Sequence, residues 1–298
     1  MSETYDKTKQ LLDDGEHEQV VEAMTSAIAA EKQADYYYLR GLAYIELDEL
    51  PEAFSDMNKA VQLARRESKY YVGRGRAFSM KGDDKNAISD FKRAIKLNPN
   101  NAEAYAERGE YFSSHKNVAK AIDDFTKAIE LDDTLGEAYY GRGIVYSDKE
   151  EYDAALADYN KALELMGDDA DLYTSRGATQ FFLDDWAASK TDFTKALEID
   201  PENVRALNNR GVVQFCLEEY EAAKEDYGTA LQLSPQERLL IGGFAITLHA
   251  LGNSEEAKKL WQGMVDTDRR YLDAKWVGEQ MLWPESMIEE ADKITKAL

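Results

Sequence analysis

Apolar and small residues in this chain follow two helical stripes that recur with a period of 34 residues from residue 34 to residue 237. In each 34-residue segment, positions 4, 8 and 11 lie on one face of a first helix, because side chains three or four apart are neighbours on a helix. Positions 20, 24 and 27 lie on one face of a second helix in the same way. Proline at position 32 ends the second helix in three segments, at Pro99, Pro201 and Pro235. Each segment is therefore predicted to be a pair of antiparallel helices joined by short turns.

The dipeptide Arg-Gly occupies positions 7 and 8 of all six segments. A fixed period of this length is typical of a repeat array, in which each unit packs only on its neighbours. Residues 1–33 form a degenerate hairpin of the same pattern, and residues 238–271 form a divergent seventh repeat. Residues 272–298 are expected to cap the array, because an apolar helical stripe follows Pro284.

The pattern resembles the tetratricopeptide repeat (TPR) family, in an Arg-Gly variant of the repeat. The resemblance rests on the aromatic at position 4, glycine at 8, alanine at 20, aromatic at 24, alanine at 27 and proline at 32. Two departures stand out, since position 7 is Arg rather than Leu and position 4 is mostly Tyr rather than Trp. The resemblance implies an all-α, right-handed superhelical solenoid of antiparallel helix hairpins with a C-terminal capping helix. It also implies protein–protein interaction rather than catalysis.

The arginine column has a matching acidic column at position 23. In a pair of antiparallel helices, residues at equal distances from the connecting turn lie side by side. The turn within a repeat would place each Arg beside the Asp of its own repeat, and the turn between repeats would place it beside the Asp of the preceding repeat. A guanidinium suits a bidentate contact with a carboxylate in either case. The sequence therefore predicts a partly buried, structural ladder rather than an exposed anion track. Its members are Arg40, Arg74, Arg108, Arg142, Arg176 and Arg210 with Asp56, Asp90, Asp124, Asp158, Asp192 and Asp226.

The resemblance also implies a groove, which in this family is lined by positions 2, 5, 6, 9, 12 and 13 of the first helices. In this chain those positions are acidic in the middle repeats and aromatic or apolar in the later ones. The candidate peptide-binding residues are Glu103, Glu107, Glu110, Tyr140, Phe181, Phe182, Asn208, Asn209 and Phe215.

Two later repeats break the pattern, with Gln180 and Gln214 at position 11, each followed by a phenylalanine. The rings of Phe181 and Phe215 are thereby turned toward the groove, where aromatic residues make effective anchors for a peptide. The alternative is that both rings pack against neighbouring first helices while the glutamines make hydrogen bonds within the stack.

The net charge of the chain disfavours two classes of partner. The chain carries 58 acidic and 36 basic residues, a net charge of −22, which repels nucleic acid and anionic membranes. No apolar run is long enough to span a bilayer and the first residues do not form a signal peptide, so a cytoplasmic location is expected. No particular oligomeric state is predicted.

The three histidines and the single cysteine, Cys216, are not at metal-ligand spacing, so neither a metal, a cofactor nor an enzymatic activity is predicted. The sequence favours a non-catalytic scaffold or adaptor that binds a peptide segment or helix of a partner, basic and with a hydrophobic anchor. The alternative is a module for self-assembly with no ligand in the groove.

Overall fold

A computed structural model describes residues 3–298, and every regular element in that range is helical. The chain divides into two compact units, Met1–Val145 and Tyr146–Leu298. The helices of the first unit are α1 (Glu3–Asp13), α2 (His17–Ala30), α3 (Ala34–Glu46), α4 (Leu50–Leu63), α5 (Ser68–Met80), α6 (Asp84–Leu97), α7 (Ala102–Ser114), α8 (Val118–Leu131) and most of α9 (Gly136–Asp148).

The second unit begins within the last turn of α9 and continues through further hairpin helices to a C-terminal segment. Its helices are α10 (Tyr152–Met166), α11 (Ala170–Phe182), α12 (Trp186–Ile199), α13 (Val204–Cys216), α14 (Tyr220–Leu233), α15 (Arg238–Ala250), α16 (Ser254–Thr267), a short 3-10 helix (Arg269–Leu272), α17 (Ala274–Met281) and α18 (Glu285–Thr295). In both units consecutive helices pack as hairpins, which confirms the predicted all-α solenoid of antiparallel helix pairs.

The turn inside each repeat has a defined chemistry. Position 15 takes the left-handed conformation, with φ of 58° at Asp48 and 74° at Gly82. The amide of Gly82 donates to the carbonyl of Ser79, and that of Asp83 donates to Phe78. This pattern closes a helix C-terminus and satisfies carbonyls that would otherwise lack partners.

A large side chain at position 24 fills the space between neighbouring helices of each hairpin. Phe91, Phe125 and Phe193 are at most 2% exposed. They fit because the facing residue at position 8 is glycine: a Cβ on Gly75 would lie 2.5 Å from the Phe91 ring. The glycine of the Arg-Gly pair is thus required because the first helix packs directly against the aromatic ring at position 24 of the second helix.

The C-terminal segment differs from the prediction in one respect. The apolar stripe after Pro284 does form a helix, α18, but the 3-10 helix and α17 precede it and were not predicted. Helix α18 packs against α15 and α16 and also reaches α13.

We expect the Gly75→Ala variant to lose about 1–3 kcal/mol of unfolding free energy, because its methyl group overlaps a buried ring in a packed core. Gly228→Ala is the matched control, since a Cβ there meets nothing within 4 Å inside α14. That control should gain up to about 1 kcal/mol from the higher helix propensity of alanine. Urea denaturation of both variants measures the difference, and equal stabilities would contradict the packing argument.

Candidate functional site

The arginine column makes bidentate ion pairs with the aspartate of its own repeat. Five pairs lie within a single unit, and in each the Arg Nε donates to Asp Oδ2 at 2.6–2.7 Å while Nη2 donates to Oδ1 at 2.7–2.9 Å. Of the two arrangements that the sequence allowed, the structure therefore has the one within a repeat. The remaining members of the two columns are Arg142, in the first unit, and Asp158, in the second.

The same guanidinium also reaches the preceding repeat. Its third nitrogen, Nη1, donates to a short polar side chain at position 25 of the preceding second helix. The acceptors are Thr25, Asn58, Thr126, Asn160 and Thr194, at 2.6–3.4 Å from Arg40, Arg74, Arg142, Arg176 and Arg210 respectively. In the repeat before Arg108, position 25 is Lys92, whose ammonium group cannot accept a hydrogen bond. Each of these five arginines thus joins its own helix to a second helix of the preceding repeat.

Burial places these groups inside the packing. The Asp side chains of the five pairs are 5–9% exposed and the Arg side chains 16–21%. The guanidinium also lies over the Tyr at position 4, 5.5 Å from the ring centroid of Tyr71 or Tyr105. Hydrogen bonds to Asp90 and Asp226 raise the pKa of Arg74 and Arg210 above the usual value, so both remain charged. With its donors occupied, the column has little left to offer a ligand.

The groove face, defined as positions 2, 5, 6, 9, 12 and 13 of the first helices, is acidic in the first unit. Glu103, Glu107 and Glu110 lie on α7, and Glu137 lies on α9. Burial raises the pKa of Glu107 to about 7, and the neighbouring carboxylates Glu110, Glu103 and Glu137 act in the same direction. Arg76 on α5 opposes this effect but is not strong enough to reverse it.

The two cations on the groove face of α3, α5, α7 and α9 already have acidic partners. Arg76 Nη2 lies 3.0 Å from Glu46 Oε1, and Lys69 Nζ lies 2.5 Å from Asp35 Oδ1. No ion pair to the four glutamates is present among the described residues of this unit. The cluster therefore holds more negative charge than its surroundings neutralise.

Aromatic residues border this acidic cluster. Tyr38, at position 5 of its repeat, is half-buried, and Glu103 and Glu107 are close enough to raise the pKa of its hydroxyl, after burial as the main cause. Tyr140 occupies the same repeat position on α9 and is also half-buried. Both tyrosines could contact an apolar part of a ligand whose charged part meets the glutamates.

The predicted aromatic anchors of the second unit differ in exposure. Phe182 is 47% exposed and stacks on Tyr152 with ring centroids 5.6 Å apart. Phe181 is half-buried against the core, and Phe215 is only 4% exposed and packs on Tyr220. Phe182 is therefore the most accessible ring of the three.

The polar neighbours of these rings are also largely buried. Asn208 is 7% exposed and its Nδ2 donates to Oδ1 of Asn209 at 3.0 Å. The Oε1 atoms of Gln180 and Gln214 are buried without a hydrogen-bond partner. The alternative interpretation, in which these glutamines make hydrogen bonds within the stack, is therefore not supported for their carbonyl oxygens.

Helix α18 covers the groove face of the last two repeats. Trp283 lies over Gly242 of α15, where a Cβ would approach its ring to 2.6 Å. His249 of α15 pairs with Glu290, and burial raises the pKa of the Cys216 thiol on α13 to about 11, an effect that the nearby Ser286 opposes. Gly242, His249 and Cys216 occupy positions 5, 12 and 13, so part of the predicted apolar groove is filled by the chain itself.

Metal-binding clusters and apolar helices of bilayer length are absent from the residues that the structure describes. No three His, Cys, Asp or Glu side chains among those that the structure describes are grouped as a metal site requires. None of the helices between residues 3 and 298 combines the length and apolarity needed to cross a bilayer.

Stacked helical hairpins with fixed interface columns define a solenoid repeat protein. Sequence profiles of the tetratricopeptide repeat match residues 34–67, 102–134, 136–169, 170–203 and 204–237, and a TPR repeat profile matches residues 75–114. The chain belongs to the tetratricopeptide repeat family, which confirms the resemblance inferred from the Arg-Gly period. This repeat generally mediates protein–protein interaction. Comparison with curated proteins found no significant sequence match.

Solved structures resemble this fold at low sequence identity. The Cut9-Hcn1 hetero-tetramer of the APC/C has a TM-score of 0.74 at 16% identity, over 81% of this chain and 48% of that one. PilF of Pseudomonas aeruginosa has a TM-score of 0.63 at 15% identity, over 70% and 94% of the two chains. A tetratricopeptide repeat protein from Parabacteroides merdae has a TM-score of 0.55 at 20% identity, over 83% and 100%. This chain thus spans about half the length of the Cut9-Hcn1 chain, and all three likenesses concern the fold.

We expect Arg108→Met to lower the free energy of unfolding by about 3–5 kcal/mol, because it leaves the Asp124 carboxylate buried without its partner. A double-mutant cycle with Asp124→Asn should show strong coupling, and a cycle with Asp90→Asn should show almost none. Breaking the exposed Lys127–Glu130 pair is the control and should cost at most about 1 kcal/mol. Coupling of Arg108 to Asp90 instead of Asp124 would contradict the geometry.

The raised pKa of Glu107 predicts a stability effect with a defined sign. The carboxyl group of Glu107 has a pKa of about 7 in the folded state and about its ordinary value of 4.5 in the unfolded state. The stabilisation from protonating Glu107 in the folded state is therefore complete below pH 4.5 and is lost as the pH rises to 7. Glu107→Gln, which stays neutral, should therefore be more stable than the wild type at pH 8 and equally stable at pH 4. Urea denaturation at both values measures the difference, and a Gln variant that is less stable at pH 8 would contradict it.

Proposed function

We propose that this chain is a non-catalytic adaptor that binds a basic segment of a partner protein on the groove face of its first unit. The observation that carries the proposal is the half-buried Glu107, whose pKa is raised to about 7 within a group of four glutamates. A carboxylate in this position is poorly solvated and is surrounded by like charge, and a partner's Lys or Arg would relieve both effects.

The cations on the groove face of α5 are already engaged. Arg76 and Lys69 are paired with Glu46 and Asp35, and Arg76 only partly offsets the raised pKa of Glu107, so a partner's cation would meet carboxylates that are not yet neutralised. A charge-assisted hydrogen bond contributes about 1.5–3 kcal/mol when the site is shielded from water. The groove face therefore favours a ligand that brings a guanidinium or ammonium group to Glu107.

The hydrophobic part of the ligand has a separate place to bind. Tyr38 and Tyr140 present half-buried rings at the same repeat position on α3 and α9. Tyrosine offers a large contact area and loses little conformational entropy on binding, which suits it to an anchor contact. The proposed ligand is thus an extended or helical segment with a basic residue near an apolar one.

Selection from a library of random displayed peptides tests the proposal with a defined probe. We expect enrichment of Lys and Arg near an apolar residue, and binding that weakens with added salt because the contact is between charges. Binding should strengthen as the pH rises through 7, since Glu107 must lose its proton to pair with the cation.

Variants locate the contact. Glu107→Gln combined with Glu110→Gln should weaken an enriched peptide by about tenfold or more, equivalent to about 1.4 kcal/mol. Glu52→Gln, an exposed acidic residue on the second helix α4, is the control for net charge and should leave the affinity unchanged. Enriched peptides without basic residues, or an unaltered affinity in the double variant, would refute this site.

A further inference from the structure

A cavity of about 590 Å³ lies between the start of α15 and one side of α16, in the second unit. Its walls include Arg238 and Ile241 of α15 and Lys259, Leu260, Gly263 and Met264 of α16. None of the lining residues occupies a groove-face position, so this cavity is distinct from the groove. A hollow of this size can hold a small organic molecule.

Three departures from the repeat pattern give the cavity an apolar floor. In the six regular repeats position 26 is Lys, Arg or Thr, position 23 is Asp, and position 4 is Tyr or Leu. In the seventh repeat these positions are Gly263, Leu260 and Ile241. The glycine removes a side chain from the surface of α16, and the leucine replaces a ladder carboxylate by an apolar group. With Met264, which is 3% exposed, these residues form a surface that favours an apolar ligand.

Gly263 leaves the backbone of α16 open to the cavity. A Cβ at this position would meet nothing within 4 Å, whereas one on Gly242 would lie 2.6 Å from the ring of Trp283. Packing within the chain therefore does not require this glycine, although glycine destabilises a helix interior relative to alanine. Gly228 of α14 is equally open, so an open glycine alone does not mark a site. At Gly263 the open space coincides with a cavity, where a ligand can approach the backbone closely.

Two exposed cations, Arg238 and Lys259, line the cavity. Their repeat positions, 1 and 22, hold neither Lys nor Arg in any of the six regular repeats. Arg238 lies 5.9 Å from the ring centroid of Tyr271, and neither cation makes an ion pair with any residue that the structure describes. Both charges are therefore available to a ligand, in a chain where acidic residues outnumber basic ones by 58 to 36.

Two acidic side chains lie near these cations. Glu256 also lines the cavity, but it forms no ion pair with Lys259 in the described part of the chain. Asp268 is close enough to interact with Arg238, but it accepts its hydrogen bonds from Arg270. The cavity wall thus carries two positive charges against one negative charge, an excess that favours an anion.

We propose that this cavity binds a small amphipathic carboxylate. The apolar body of the ligand contacts Ile241, Leu260 and Met264, and its carboxylate lies between Arg238 and Lys259. A guanidinium holds a carboxylate through two parallel hydrogen bonds, and an ammonium group adds a second positive charge. The cavity shares no residue with the acidic site of the first unit, so either proposal can fail without the other.

Nuclear magnetic resonance titration of the ¹⁵N-labelled full chain tests the proposal, with octanoate as the ligand and octanol as its neutral counterpart. We expect octanoate to bind at least about tenfold more tightly than octanol, a difference of about 1.4 kcal/mol. Amide shifts should change at the start of α15 and along α16. Arg238→Gln combined with Lys259→Gln should remove the preference for octanoate, and Glu256→Gln should strengthen octanoate binding because it removes a like charge.

Filling the cavity tests its location. Gly263→Leu adds a side chain where a Cβ meets no neighbour, so this variant should stay folded and lose octanoate binding. Thr229→Leu is the matched control, because it adds the same side chain at the exposed position 26 of α14, outside the cavity. The control should bind octanoate as the wild type does.

Three results would overturn the proposal. One is the absence of amide shift changes in α15 and α16 when octanoate is added to the wild type. Another is unaltered octanoate binding in a Gly263→Leu protein that circular dichroism shows to be folded. The third is binding of octanol as tight as that of octanoate, which would leave Arg238 and Lys259 without a role in recognition.

Discussion

The three-way contact of the position-7 arginine is the interaction on which the rest of the stack depends. A guanidinium can bind a carboxylate with two parallel donors and still direct a third donor elsewhere. In Arg74 and Arg176 the carboxylate is the Asp of the same hairpin, and the third acceptor is an asparagine of the preceding second helix. One side chain therefore sets both the packing within a repeat and the register between repeats. The adjacent glycine admits the ring at position 24, so the Arg-Gly pair combines polar and apolar constraints in two residues.

Much of the fold could be predicted from the sequence because the period places each helix and each interface residue locally. Helices α3, α5 and α7 begin at the residues where the period starts its segments. The sequence left the partner of each arginine open, because the turn within a repeat and the turn between repeats each bring an aspartate close to position 7. The position-25 acceptors were missed because Asn, Thr and Lys alternate there, so no single residue type marks the column.

The candidate site was less predictable, because its determinants are not periodic. The acidic positions could be read from the sequence, but the pKa of Glu107 depends on burial and on carboxylates from other turns and helices. Helix α18 covers the groove face of the last repeats through single contacts such as that of His249 with Glu290. These residues are not part of the repeat pattern, so the pattern does not predict the contact. The burial of Phe215 likewise follows from tertiary packing. The residues that repeat thus stabilise the stack, and the groove positions that vary are where we propose that a partner is recognised.

Hydrogen exchange followed by mass spectrometry on the full chain, with and without a saturating basic peptide from the library, tests this division most directly. The account predicts slower amide exchange in α5 and α7, whose groove positions hold Arg76 and the glutamates, and unchanged exchange in α13 and α15. Slower exchange confined to second helices such as α6 and α8, or to α13 and α15, would contradict it.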